Sequence, residues 1–343
     1  MPDYVRMDLP LNRRTIAASL LLLGPALIVS LSRAVRRAGM AVLYKTVPLP
    51  EDQIHRDICY RSGSDDLKHR LDLFLPAGKD WPVFIFIHGG GLACGDKALR
   101  VCGADVYGNI GRFYASHGIG VAVISYRLQP KVTWRQQVED VAHAAAWVYS
   151  HIGSYGGDSS RVFIGGHSAG AHLAARVALD PQPLGELGLS PDLFSGVIPV
   201  SGAAFDLSDV RTYQSGHRLR HYETRFRCGD PTEQWRKEAS PINYVARGAP
   251  PFLILYGDHE RRSLKRQSLL LHKALRKHQV PSRVVIVPGQ NHCRIVLTLS
   301  RPDKTSADAI LKFMDEVAGV TATQQSRAAT SGANNLRAAA AVL

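Results

Sequence analysis

The stretch Arg161-Val162-Phe163-Ile164-Gly165-Gly166-His167-Ser168-Ala169-Gly170-Ala171-His172-Leu173-Ala174 constrains this chain more than any other. An apolar, β-favouring run from Val162 to Ile164 enters glycines, meets one serine and leaves through small residues into a helix-like pattern of Ala and Leu. That is a strand, a sharp turn and a helix, with Ser168 at the apex. Gly166-His167-Ser168-Ala169-Gly170 fits G-x-S-x-G, whose glycines let strand and helix approach closely while the serine takes a strained conformation that holds its hydroxyl out of the sheet. By itself the pentapeptide also fits an ordinary Gly/Ser turn before a helix.

The surroundings favour the first reading. Pro82 to Ile87 is a continuous apolar strand ending in His88-Gly89-Gly90-Gly91, a run whose backbone amides can donate to an oxyanion. Alternation of Arg70 and Asp72 with Leu71 and Leu73 predicts a half-exposed antiparallel strand, as does Ile54 to Tyr60. Strands and helices then alternate: Val83 to Ile87, a helix near Ala104 to His117, Gly120 to Tyr126, a helix from Trp134 to Ile152, Val162 to Ile164, and a helix from Ser168 to Leu179. Further strands are expected at Gly196 to Val200, Phe252 to Tyr256 and Val284 to Val287, and a last helix at Ala307 to Val317. Such alternation builds an α/β fold with a mostly parallel sheet and helices on both faces. About residues 203–250 the strand pattern breaks into a polar, aromatic-rich segment placed to cap a pocket at the carboxyl ends of the strands.

A chain of 343 residues with 45% hydrophobic residues can bury one large core, expected here over residues 45–320. Its five cysteines lack C-x-x-C spacing and imply neither a disulfide framework nor a zinc ribbon, and no H-E-x-x-H occurs, so no metal and no cofactor are expected. The net charge of +13 favours anionic surroundings. No nucleic-acid-binding motif accompanies the basic and aromatic residues between Arg211 and Arg227; they read as a solvated or membrane-facing loop, which composition alone suggests could dock on anionic lipid.

At the N-terminus an uncharged stretch, Thr15 to Ser32, lies between Arg13-Arg14 and Arg33, Arg36 and Arg37. Eighteen residues span about 27 Å as a helix, just enough for a bilayer core. Residues 1–44 are therefore expected to be a membrane anchor, side undetermined, with a signal for export as the alternative. The tail 321–343, rich in Ala, Ser, Gln and Asn, is expected to be disordered.

A serine hydroxyl needs a base, and the base needs a group that fixes its tautomer, in the chain order Ser, Asp/Glu, His for this turn. His292, in the loop after Val284 to Val287, is the better base; His259 is the rival. The acid should follow Phe252 to Tyr256, where Asp258 and Glu260 both stand.

His88-Gly89-Gly90-Gly91 with Gly95-Asp96-Lys97, Ser125-Tyr126-Arg127, Tyr155-Gly156-Gly157-Asp158 and the Ser168 turn together resemble the α/β-hydrolase superfamily over about residues 54–317. The likeness is to its esterase/lipase branch, including hormone-sensitive-lipase-like and feruloyl-esterase-like carboxylesterases; prenylcysteine methylesterases, which are membrane-bound, and kynurenine formamidases are similar too. It implies an α/β-hydrolase fold, Ser168 as nucleophile, His292 as base, an oxyanion hole from Gly90, Gly91 and Ala169, and Glu260, third after Gly257, as the acid, with Asp258 as alternative. Leu92 departs from the aromatic residue that often follows H-G-G-G, and Glu260 from the usual Asp. The implied activity is hydrolysis of small carboxylic esters through an acyl-enzyme; the alternatives are a non-catalytic binding protein of the same fold and an amidase or formamidase using the same residues.

Overall fold

Eight strands form one sheet in the order β1-β2-β4-β3-β5-β6-β7-β8. They are β1 (Ile54–Cys59), β2 (Arg70–Phe74), β3 (Trp81–Ile87), β4 (Gly120–Ile124), β5 (Gly157–His167), β6 (Phe194–Val200), β7 (Phe252–Gly257) and β8 (Ser282–Val287). The computed structural model describes residues 45–101, 104–212, 216–301 and 304–319. The expected anchor within residues 1–44 and the tail 321–343 lie outside them, and among the described residues no helix is long and apolar enough to cross a membrane. The sheet belongs to the larger of two units, residues 47–99 and 105–343; of the smaller, only Lys45, Thr46, Ala104 and the two-residue strand Arg100–Val101 are described.

The central strands β3 to β7 run parallel, while β2 pairs antiparallel with both β1 and β4. Helices cover both faces, which is why β3 and β4 are apolar throughout rather than alternating. On one face Val83, Ile85, Ile87 and Ile164 pack into a core with residues of α2 (Trp134–His151) and α3 (Ala169–Leu179). On the other, Phe84 meets Tyr114 of α1 (Val106–Ser116), and Phe163 meets Phe313 of the helix at 305–319. Local chemistry starts these helices: Asp105 caps α1 through the Gly108 amide at 3.0 Å, and Thr133 with Gln136 forms a capping box on α2.

The expectation for β2 is corrected. β2 is buried, not half-exposed, and Asp72 is only 3% accessible. The buried ammonium of Lys97 reaches it at 2.7 Å and Asp57 at 2.6 Å, and the Asp57 amide donates to Asp72 at 2.8 Å. A carboxylate so paired tolerates a site that an alternation rule assigns to water.

Between β6 and β7 the expected cap segment holds α4 (Gly216–Phe226) and α5 (Gln234–Ala239). After β7 comes α6 (Arg262–Lys277), whose Leu264, Gln267, Ser268, Leu271 and Leu275 recur on one buried face.

Parallel strands put their carboxyl ends on one edge. Register aligns Ile87 with Gly166, His167 with Val200, Val200 with Leu255, and Gly257 with Val287. The loops after β3, β5, β7 and β8 therefore open side by side.

Candidate active site

Ser168 sits between β5 and α3 with φ 56° and ψ −112°. Its amide donates to the Val200 carbonyl at 3.0 Å, which ties the turn to the neighbouring strand. The glycines are steric necessities: a Cβ on Gly166 would lie 2.4 Å, and one on Gly170 2.2 Å, from the Ile87 carbonyl oxygen. Only without those carbons can α3 start against the end of β3.

His292, in the loop after β8, places Nε2 3.0 Å from Ser168 Oγ and Nδ1 3.0 Å from Glu260 Oε2. The second Glu260 oxygen accepts the Arg261 amide at 2.8 Å. Burial pushes the Glu260 carboxyl up, but the His292 and Arg261 hydrogen bonds outweigh it and hold the group below its ordinary range. An ionised acceptor at Nδ1 selects the tautomer that leaves Nε2 free to accept the serine proton.

Asp258 and His259 stand elsewhere. Asp258 accepts the Gln290 amide at 3.1 Å, so the alternative acid holds the backbone of the His292 loop and does not reach the ring. The His259 side chain is 72% exposed.

The His88-Gly89-Gly90-Gly91 turn is braced from behind. His88 Nδ1 donates to the Gly89 carbonyl at 2.7 Å, its ring stacks on Tyr126 at 4.3 Å, and the Gly89 amide donates to Tyr107 Oη at 3.2 Å. Gly90 has φ 123°, and a Cβ there would fall 1.8 Å from the Cys94 carbonyl oxygen. Its own carbonyl accepts the Ala93 and Cys94 amides at 3.2 and 3.1 Å. Gly91, with φ 59°, lines a cavity of about 370 Å³ together with Ser168, Ala169 and His292. The Ala169 amide is a first-turn amide for which a helix has no internal acceptor.

Several residues of this site were not legible as such. His167, the variable residue before the serine, donates from Nε2 to the His292 carbonyl at 2.7 Å; burial and the neighbouring His292 lower its pKa to about 4, so the ring stays neutral. His172, one turn beyond Ser168, donates from Nδ1 to the Ala204 carbonyl at 3.1 Å and packs edge-on against Phe226; burial lowers its pKa to about 3. Its spacing of four from the serine on a helix was the available signal. Residues 216–226 form a helix against the cavity rather than a solvated loop: Tyr222, Arg225 and Phe226 line it, and α4 is tied down by Gln129 Nε2 to the Arg225 carbonyl at 2.8 Å and Trp134 Nε1 to the Phe226 carbonyl at 2.9 Å.

A second array, Ser64 Oγ to His69 Nδ1 at 2.6 Å and His69 Nε2 to Asp140 Oδ1 at 3.0 Å, shows that such distances alone do not make a site. Arg127 forks onto Asp140 at 2.7 and 2.9 Å and Arg61 approaches it at 3.3 Å, so the carboxylate serves a structural cluster.

The BD-FAE family profile matches residues 71–275, a span that includes Ser168 and Glu260 and ends before His292. Esterase LipQ of Mycobacterium tuberculosis is 33% identical over 302 residues, covering 84% of this chain and 69% of that protein. A probable isoprenylcysteine alpha-carbonyl methylesterase of Oryza sativa, ICMEL1, is 29% identical over 259 residues, 71% of this chain and 58% of that one. Among solved structures, esterase B of Lactobacillus rhamnosis superposes with TM-score 0.67 at 23% identity over 92% of this chain and 99% of its own. An esterase of Pyrobaculum calidifontis gives 0.64 at 20% over 85% and 93%. The fold is that of the α/β-hydrolases.

Proposed function

Because the chain belongs to the BD-FAE family, we propose that it is a carboxylesterase-type serine hydrolase acting on small esters through an acyl-enzyme. One observation carries the reading: a serine on a strained turn, hydrogen-bonded to an imidazole whose other nitrogen faces a buried, ionised carboxylate. The esterase names of the relatives at 33% and 30% identity support the substrate class.

In this reading His292 Nε2 takes the proton from Ser168 Oγ as the oxygen attacks the ester carbonyl. Glu260 stabilises the imidazolium that forms, and the amides of Gly90, Gly91 and Ala169 receive the oxyanion; losing one such donor costs about 3 kcal/mol of barrier. His292 then gives its proton to the departing alcohol. Water, deprotonated by the same imidazole, attacks the acyl-serine, and collapse frees the acid and Ser168.

The test is turnover of 4-nitrophenyl butyrate with a burst of nitrophenolate, and its loss in Ser168→Ala. Absence of turnover across esters and anilides, with the protein folded, would leave the binding-protein alternative; cleavage of anilides or formamides in preference to esters would favour the amidase alternative.

The uncharged stretch 15–32 with arginines on both flanks supports a further proposal, that this segment holds the enzyme on a membrane. Fractionation of the full chain with membranes, resistant to carbonate washing, is the expected result; recovery in the soluble fraction contradicts it.

A further inference from the structure

The cavity beside Ser168 carries cationic groups that the hydrolytic reading does not use. Arg225 lines it from α4 and Arg261 from the N-cap position of α6. Among the described residues neither guanidinium makes a hydrogen bond or ion pair, and Arg225 Nε is fully buried without a partner. That is costly for a charged donor unless a ligand supplies the acceptor.

The neighbouring carboxylates are committed elsewhere. Glu223, two residues before Arg225, pairs with Arg236 at 3.3 Å; Asp209 forks onto Arg266 at 2.7 Å; Asp258 binds the Gln290 amide; and Glu260 is shared by His292 and the Arg261 amide. Of the lining residues that titrate, His172 is kept neutral by burial. Leu92, Phe226 and Leu264 supply apolar surface to the same cavity, in whose lining Arg225 is half-buried and Arg261 exposed. An apolar pocket with a few convergent charged donors selects a ligand of opposite charge, and the net charge of +13 would steer such a ligand inward.

We infer that Arg225 and Arg261 select esters carrying a carboxylate, such as half-esters of dicarboxylic acids, by pairing with that group while the ester carbonyl lies at Ser168. The inference rests on the esterase reading above. A planar guanidinium matches a carboxylate through parallel hydrogen bonds, which a lysine cannot reproduce.

The experiment compares charged with neutral partners of matched size. Mono-4-nitrophenyl glutarate against 4-nitrophenyl valerate tests the acyl half, and 3-carboxyphenyl butyrate against phenyl butyrate tests the alcohol half. The expected result is kcat/KM at least about tenfold higher for the charged member of one pair, carried mainly by KM and eroded by salt. Arg225→Met with Arg261→Met should bring that ratio to one or below, and Arg225→Lys should restore part of it. Equal or poorer turnover of both charged esters by the wild-type enzyme, or a preference that survives in the double variant, overturns the inference. Hydrolysis of the neutral esters reports separately on the esterase reading: if those too are untouched, that reading fails first.

Discussion

Glu260 Oε2 lies 3.0 Å from His292 Nδ1, while Asp258, two residues earlier, holds the amide of Gln290 two residues before that same histidine. The two carboxylates after β7 thus divide the work: one faces the ring and the other fixes the loop that carries it. Glu260→Gln should lower kcat/KM by about 10³-fold or more, because the amide can present its NH₂ to Nδ1 and favour the wrong tautomer. Asp258→Asn should lower kcat/KM far less and show mainly as a lower melting temperature. Parallel kinetics and thermal melts on the two amides check the division; a reversed ranking would contradict it.

How much of this was legible depended on where the physics was local. Gly166 and Gly170 face backbone oxygens within 2.4 Å of a would-be Cβ, so their spacing around Ser168 reported a steric demand directly. Glu260 and Asp258 stand too close in sequence for residue type to separate them. The turn in which the Glu260 amide donates to the Gly257 carbonyl at 3.0 Å decides which one faces His292. The burial of β2 was hidden because Asp72 is neutralised by Lys97, a partner distant in sequence. Arg225 looked like any other arginine in a basic stretch; only packing of α4 against the Ser168 pocket distinguishes it from exposed Arg220 and Arg227.

His167 bridges the nucleophile turn to the base loop through the His292 carbonyl. Removing that donor in His167→Phe lets the loop move, and displacements of about 1 Å cost on the order of 10²-fold in rate. His167→Gln, which keeps an N–H donor, should recover part of kcat. Steady-state kinetics on both variants is the check; equal loss in the two would reduce His167 to packing.

Gly90 cannot carry a side chain, since its φ is 123° and a Cβ would overlap the Cys94 carbonyl oxygen. Gly90→Ala should displace the 88–94 turn and lower kcat by about 10²-fold or more, as losing one oxyanion donor does. The 4-nitrophenyl butyrate assay, alongside a melting curve showing that the fold persists, checks this.

Acid should destabilise the protein through its buried histidines. Burial lowers His88 and His167 to about 4 and His172 to about 3, whereas an unfolded imidazole titrates near 6.5. Below about 6.5 the unfolded chain binds protons that the folded chain refuses, so stability present above that pH is lost as pH falls towards the folded values. Each such group contributes up to about 1.4 kcal/mol per pH unit in that window. Urea unfolding between pH 7 and pH 5 should show this slope, reduced by about one proton in His172→Gln; stability independent of pH over that range would contradict it.

The central claim is that Ser168 is the nucleophile activated by His292. Reaction of the intact protein with an alkyl nitrophenyl phosphonate, followed by peptide mass spectrometry, tests it most directly. The account predicts one adduct, on the peptide containing Ser168, formed rapidly by the wild type, absent in Ser168→Ala and greatly slowed in His292→Ala. Labelling at another residue, or labelling of Ser168 at the same rate without His292, would contradict it.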